Sequence, residues 1–200
     1  KRFYRDGFRN VGIDQILSDV GISRTAFYKH FDSKDDLMLE VLESQNTWLQ
    51  DRFGQMVREH GGESARGQLQ GLFDVVEQIM TSHKLDFVQI TYNPIDREVE
   101  ERILPLARER GIAVIVNRPF RQGALIQALA KSKLPPWAGE IDCASWAQVV
   151  LKFIVSHPAV TCAIPATTRA DHVRENVDAA TGRLPDAAMR QRIVAAVERG

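Results

Sequence analysis

The stretch Ser23-Arg24-Thr25-Ala26-Phe27-Tyr28-Lys29-His30 sets cationic, hydroxyl and aromatic side chains into one short block. Each of these types has a use against nucleic acid. The guanidinium of Arg24 could fork onto a guanine edge or a phosphate, and Thr25 could touch a thymine methyl. Tyr28, Lys29, His30 and, slightly further on, Lys34 could hold phosphate oxygens, contacts that position a protein on the duplex without reading its sequence. Basic Lys1, Arg2, Arg5, Arg9, Arg24, Lys29 and Lys34 outnumber acidic Asp6, Asp14, Asp19 and Asp32 in this region, so the local field is positive. The same side chains also suit the ordinary solvated face of a short helix, and residue types alone leave both readings open.

The chain as a whole narrows the choice. Its 200 residues suit one large domain or two small ones, and an apolar share of 44% can build a core. With 26 basic and 26 acidic residues the formal charge is zero, which excludes a globally basic nucleic-acid binder but not a local basic patch. Cys143 and Cys162 lie far from any CxxC or metal-ligand spacing, as expected of two reduced thiols in a cytoplasmic protein; no metal site is expected. No apolar run approaches the roughly 20 residues that span a bilayer, and no targeting segment is evident. The sequence begins at Lys1, as a piece of something longer would.

The chemistry-bearing block needs helices to present it. Ile13, Ile16, Leu17 and Val20 recur at helical spacing, and Gly21 supplies the left-handed residue that ends such a helix. Ser23 can cap a following helix over Arg24–His30, with Ala26, Phe27 and Phe31 turned inward. Ser33 to Asp36 is spaced as a capping box opening a long third helix that carries Leu37, Leu39, Val41, Leu42, Trp48, Leu49, Phe53 and Val57. Short helix, glycine turn, short helix is a helix-turn-helix.

Past Met80 the character changes. Leu85, Phe87, Val88, Ile90 and Tyr92 read as a buried strand, so Thr81 to Lys84 is read as a junction between unrelated pieces, with domains over 1–82 and 83–200. Strands are expected at Phe87–Thr91, Ala113–Val116 and Val160–Ile164. Between and after them come helices at Arg97–Arg110, Ser145–Ser156 (opened by a Ser145/Gln148 capping box), Ala170–Ala179 and Asp186–Glu198. Alternation of this kind argues for βα units on a parallel sheet.

Two resemblances attach to these residues. "GISRTAFYKHFDSKDDL" resembles the recognition helix and following helix start of TetR-family transcriptional regulators, over about Lys1 to Arg58 and weakly to Met80. It implies that Ser23, Arg24, Thr25, Tyr28, Lys29, His30 and Lys34 face double-stranded DNA. The family's first helix is nearly all missing, which should expose part of the small core. Val11 and Gly12 stand where the family usually has hydroxyl residues before its second helix. The blocks "LDFVQITYNPIDREVEERILPLARERGIAVIVNRPF" and "WAQVVLKFIVSHPAVTCAIPATTRADHVREN" resemble the C-terminal half of aldo-keto reductases, whose fold is a (β/α)₈ barrel that binds a nicotinamide cofactor. The match, over about Lys84 to Gly200, corresponds to the last three strands.

The second resemblance implies a cofactor-binding set. Gln89 would hydrogen-bond the nicotinamide amide, and Pro165 to Asn176 would cradle the adenosine part. Thr167 and Thr168 would donate to phosphate, and Glu175 and Asn176 would contact adenine. Asn117 replaces a common ring-stacking tyrosine, while Ala166 and His172 stand where NADPH-selective members often carry lysine and arginine. Read without the resemblance, Gln89 is a strand-end amide and the 166–176 run an ordinary helix start. The family's catalytic tyrosine, lysine and aspartate come from the absent half barrel. Tyr4, Tyr28 and Tyr92 offer no substitute, so no catalytic residue is assigned and any NAD(P) site is a residual one.

The expected fold is therefore mixed: an all-α helix-turn-helix followed by a partial (β/α)₈ barrel. The expected function is DNA-binding transcriptional regulation of TetR type, fused to a catalytically incomplete reductase fragment, with a homodimer possible and no membrane partner. The alternatives are an aldo-keto reductase remnant that needs a partner half, and a non-functional gene fusion. Three strands cannot close a barrel, so the interior face and both sheet edges should lie open.

Overall fold

The computed structural model describes residues 2–7 and 9–199. Lys1, counted above in the local positive field, lies outside them, as do the side chains of Arg2 and Tyr4. The chain separates into two units, residues 1–71 and 72–200.

The first unit is helical. Helix α1 spans Arg2–Asp6, α2 Ile13–Val20, α3 Arg24–Phe27, α4 Lys34–Gly61, and α5 starts at Ala65, running to Ser82. Gly21 ends α2 at φ 70°, its N–H donating to the Leu17 carbonyl. The Ser23 hydroxyl accepts from the Ala26 N–H at 3.2 Å and caps α3. That helix is shorter than the spacing predicts: regular geometry stops at Phe27, and Tyr28 to His30 form a turn. Ser33 caps α4 by accepting from Asp36 N–H at 3.0 Å. Asp36 answers one residue further back than a standard capping box, accepting from Asp32 N–H at 3.0 Å.

The core of this unit is thin. Val11, Leu17 and Phe27 are buried, while Val20, expected on the packed stripe, is 63% exposed. None of the 28 residues of α4 is fully buried, and Leu39, Leu42, Trp48 and Leu49 face water. What holds α4 to the start of α5 is backbone contact. A Cβ placed on Gly67 would sit 1.9 Å from the Gly61 carbonyl oxygen, and one on Gly71 2.5 Å from that of Val57. Glycine is required at both positions because no side chain fits between the helices.

The second unit begins inside α5, so residues 72–82, grouped with the helical part in the sequence reading, pack with the sheet: Met80 is buried in its core, with Phe73 and Val76 against it. Strands β1 (Phe87–Thr91), β2 (Ala113–Asn117) and β3 (Cys162–Ala163) form a parallel sheet in that order. Gln89 pairs with Ile115, and Ile115 with Cys162. The third strand is shorter than the Val160–Ile164 expected, although Thr161 and Ile164 still donate to the Val114 and Val116 carbonyls. Side chains alternate across β2: Val114 and Val116 are fully buried, while Ala113, Ile115 and Asn117 stand on the half-covered face.

Helix α6 (Ile103–Arg110) joins β1 to β2, and a short 3₁₀ turn at Glu98–Glu100 replaces the first part of the helix predicted from Arg97. Between β2 and β3 the chain forms α7 (Ala124–Leu129), a 3₁₀ segment at Pro136–Ile141 and α8 (Trp146–Val155). The stretch between β2 and α8, for which no element is predicted above, thus holds a helix of its own. Eight of the ten residues of α8 are buried, as suits a helix pressed on a parallel sheet. Ser145 caps it from the Gln148 N–H at 3.3 Å, and the Gln148 amide oxygen reaches Ala144 N–H rather than that of Ser145. Helices α9 (Ala170–Asp178) and α10 (Ala187–Val197) follow β3, the latter capped by Asp186. Among the described residues no helix is long and apolar enough to cross a membrane.

Candidate functional site

Among the described residues, each unit brings together several of the side chains singled out from the sequence. In the first, Phe27 is buried and fixes the orientation of α3, its ring 5.3 Å from that of Phe31 and 5.2 Å from that of Tyr28. Ser23, Arg24, Thr25, Tyr28, Lys29 and His30 are consequently all exposed, in one contiguous block. Lys34 is separated from them in role: it is half-buried, and its ammonium donates to the Val11 carbonyl at 3.1 Å, tying the start of α4 to the start of α2. Arg24 has a partner that the sequence reading counted only as an offsetting charge. Its Nε and Nη2 donate to the two carboxylate oxygens of Asp14 at 2.8 and 2.6 Å. That pairing holds the Asp14 carboxyl below its ordinary pKa.

In the second unit a cavity of about 810 Å³ opens at the C-terminal ends of β2 and β3. Its walls come from the loop after β2, the start of α8, and the segment from Ile164 into α9. Of the cofactor set expected from sequence, Thr167, His172, Glu175 and Asn176 line it; Thr168 and Gln89 do not. Thr167 is half-buried and its hydroxyl oxygen accepts from the Arg169 N–H at 3.2 Å, with the His172 Nδ1 3.5 Å away. Asn176 donates to the Pro165 carbonyl at 3.3 Å, which folds the segment back on α9. The base of this segment is firmly anchored. Lys152 is fully buried on α8 and donates to the Thr181 and Arg183 carbonyls at 2.6 and 2.9 Å, while Asp142 grips the Arg183 guanidinium.

The opposite wall was not foreseen from sequence. Arg118, Arg121 and Gln122 have φ of 48°, 50° and 59°, and Gly123 follows at 93°. Three side-chain-bearing residues in the left-handed region make a strained stretch, of the kind that collects at binding sites. Arg118, Phe120 and Gln122 from this stretch line the cavity, as does Trp146 from α8. Gln89 instead stands on the exposed face of β1, beside a Thr91 hydroxyl that donates to the Asn117 amide oxygen at 2.9 Å. On that face Phe87 and Ile164 are 58% and 47% exposed.

Residues 72–196 match the family described as Aldo/keto reductase family, and residues 1–41 match that described as Bacterial regulatory proteins, tetR family. The chain belongs to the aldo/keto reductase family. A stretch of 62 residues is 34% identical to the NADH-specific methylglyoxal reductase of Escherichia coli, covering 31% of this chain and 19% of that protein. Another of 93 residues is 33% identical to an uncharacterized oxidoreductase of Schizosaccharomyces pombe, covering 46% of this chain and 29% of the relative. The chain thus spans less than a third of the length of either. The fold of the aldo-keto reductase AKR11C1 from Bacillus halodurans, holo form, superposes with a TM-score of 0.50 at 20% identity, over 62% of this chain and 46% of that one. The fusion of a tetR-family head to a partial aldo/keto reductase barrel read from the sequence is what these matches show. The reductase match starts at residue 72, inside α5, where the two structural units also divide.

Within this aldo/keto reductase portion, no tyrosine is placed to act as an acid. Tyr92 is fully buried behind the sheet, donates its hydroxyl to Glu100 and accepts from Arg190. Burial pushes its pKa further up, so it holds its proton as part of a structural network. Lys152 is committed to backbone carbonyls, as described above.

Proposed function

We propose that the first unit is a DNA-binding head of the TetR type and that the reductase portion is catalytically incomplete. The chain is on this reading a cytoplasmic DNA-binding regulator joined to a remnant barrel. The observation that carries it is the single exposed block Ser23, Arg24, Thr25, Tyr28, Lys29 and His30, held outward by the buried Phe27 ring. A helix-turn-helix presents the start of its second helix to base edges in the major groove while neighbouring side chains hold the backbone. Arg24 and Thr25 stand at that start; Tyr28, Lys29 and His30 stand on the flanking turn. Lys34 contributes charge near the block but is spent on the Val11 carbonyl, so its part in DNA contact is secondary. Two such heads in a homodimer would be needed to read a two-fold site. Arg24→Ala combined with Lys29→Ala should abolish retention of duplex DNA in a gel-shift assay. Retention equal to that of the unaltered chain would end this reading.

A second reading has its own support in the cavity. Thr167, His172, Glu175 and Asn176 face the strained 118–123 loop across a space large enough for an adenosine. The donor set suits the adenosine end of NAD(P), and the neutral, uncharged Ala166 does not favour a 2′-phosphate. When bound, a nicotinamide cofactor supplies hydride transfer. At the nicotinamide end Gln89 stands on an open, water-exposed face, and the Thr91 hydroxyl beside it is already donated to Asn117. A positioned general acid is worth roughly 10²–10⁴ in rate. The chain alone therefore holds a residual nucleotide cradle without reductase turnover.

A further inference from the structure

We infer that Asp14 is a positioning residue for Arg24, turning a flexible cation into a reader of one guanine; this rests on the DNA-binding reading above. The geometry is specific about which side of the guanidinium is taken. Asp14 accepts from Nε and Nη2, the lateral edge, at 2.8 and 2.6 Å. An arginine has five N–H donors in a rigid planar fork. With the lateral edge occupied, the remaining Nη1 and Nη2 hydrogens form the end-on parallel pair of the fork, on a side chain about two-thirds exposed. That pair matches the O6 and N7 acceptors that guanine shows in the major groove.

The elements around the pair support a fixed orientation. Asp14 lies in the first turn of α2 and Arg24 is the first residue of α3. The corner between them is closed by the left-handed Gly21 and by the Ile22 N–H, which donates to the Leu17 carbonyl at 3.1 Å. The two ends of the ion pair are thus carried on helices joined by one short, hydrogen-bonded turn. Both side chains are about two-thirds exposed, which rules out a core-packing role for either. Charge gives a second distinction. A guanidinium already neutralised by a carboxylate attracts phosphate poorly but can still donate two directed hydrogen bonds to a base edge. Asp14 thereby moves Arg24 from the phosphate-holding class to the base-reading class, leaving Lys29 and His30 for the backbone.

The test is selection from a pool of random-sequence duplexes by the full chain, compared with Asp14→Ala, Asp14→Asn and Arg24→Ala. Circular dichroism of each confirms its helix content. The unaltered chain should enrich guanine at one position, and Arg24→Ala should lose that preference. Asp14→Ala should reduce the guanine enrichment roughly tenfold without weakening retention of unselected duplex, and Asp14→Asn, with one acceptor oxygen instead of two, should fall between. Guanine enrichment unchanged in both Asp14 variants overturns the inference, as does an unaltered chain that retains duplex without any Arg24-dependent guanine. Tighter binding by Asp14→Ala with the preference intact also overturns it, since Asp14 is then a competitor for Arg24. Failure of the unaltered chain to retain any duplex removes the DNA-binding reading itself, a result distinct from those confined to Asp14.

Discussion

Arg102 closes a fork on Glu77, its Nε and Nη2 donating to the two carboxylate oxygens at 2.7 and 2.5 Å, while Nη2 also reaches Asp74 at 2.6 Å. The acidic partners lie on the last part of α5 and the arginine just ahead of α6. One side chain therefore fastens the helix that opens the second unit to the first βα crossover. Replacing Glu77 or Arg102 by alanine should lower stability, and a double-mutant cycle should show a coupling of roughly 1 kcal/mol, since all three groups are about a third exposed and screened by water. Urea unfolding of the four variants at low and high salt checks this. A coupling near zero would mean that the apolar contacts of Phe73, Val76 and Met80 hold the helix alone.

The α4–α5 hairpin should be intolerant of the smallest added side chain. Gly67→Ala puts a methyl carbon 1.9 Å from the Gly61 carbonyl oxygen, both partners being backbone. The helices must part, at a cost of roughly 1–3 kcal/mol for overpacking. Gly54→Ala is the control, because its nearest neighbour is the movable end of Arg58 at 3.4 Å. Thermal melts followed at 222 nm should show a lower first transition for Gly67→Ala and little change for Gly54→Ala.

His157 should make the second unit sensitive to mild acid. Burial, with Arg190 and Arg108 adding to it against the opposing pull of Glu100, lowers its pKa. Its Nδ1 accepts from the Ala159 N–H at 3.2 Å, a bond that protonation there removes, and its ring meets that of Tyr92 edge-on at 5.7 Å. A histidine that protonates more readily unfolded than folded leaves stability intact above its unfolded pKa, near 6.5. Stability then declines as pH falls below that value and on through the lower folded pKa. The melting temperature should drop across this window, and His157→Gln should flatten the drop. An equal drop in both would assign the acid sensitivity to other groups.

The cavity should bind the adenosine half of a dinucleotide as well as the whole. NADH and NADPH should give only weak fluorescence changes, and ADP should displace either about as effectively as the dinucleotides displace one another. Asn176→Ala should weaken all of them by roughly 1 kcal/mol, the worth of one hydrogen bond. Tight binding of NADH that ADP cannot match would mean that the Gln89 face is better organised than its exposure suggests.

Local signals carried much of this structure. The 3.6-residue period of α2, the stop at Gly21, the caps at Ser23, Ser33 and Ser145, and the runs of β1 and β2 all reflect forces acting within a few residues. What escaped is what depends on distant partners. Val20 sits on the correct stripe but has nothing opposite it. The 118–123 loop owes its left-handed residues to its tertiary setting, and no residue preference announces arginine there. Asp14 and Arg24 are brought together only by the Gly21 corner. Lys34 has the type and position of a phosphate ligand, yet the nearby Val11 carbonyl claims it.

The half-covered side of the sheet has a consequence for dosage. Phe87 and Ile164 stand in water, and β1 and β3 have no further strand paired to them among the described residues. Such edges accept strands from neighbouring molecules, a reaction that rises with concentration while folding within one chain does not. Abundance is then self-limiting: above some level each added copy goes to association, so the unassociated chain persists only where few copies are made.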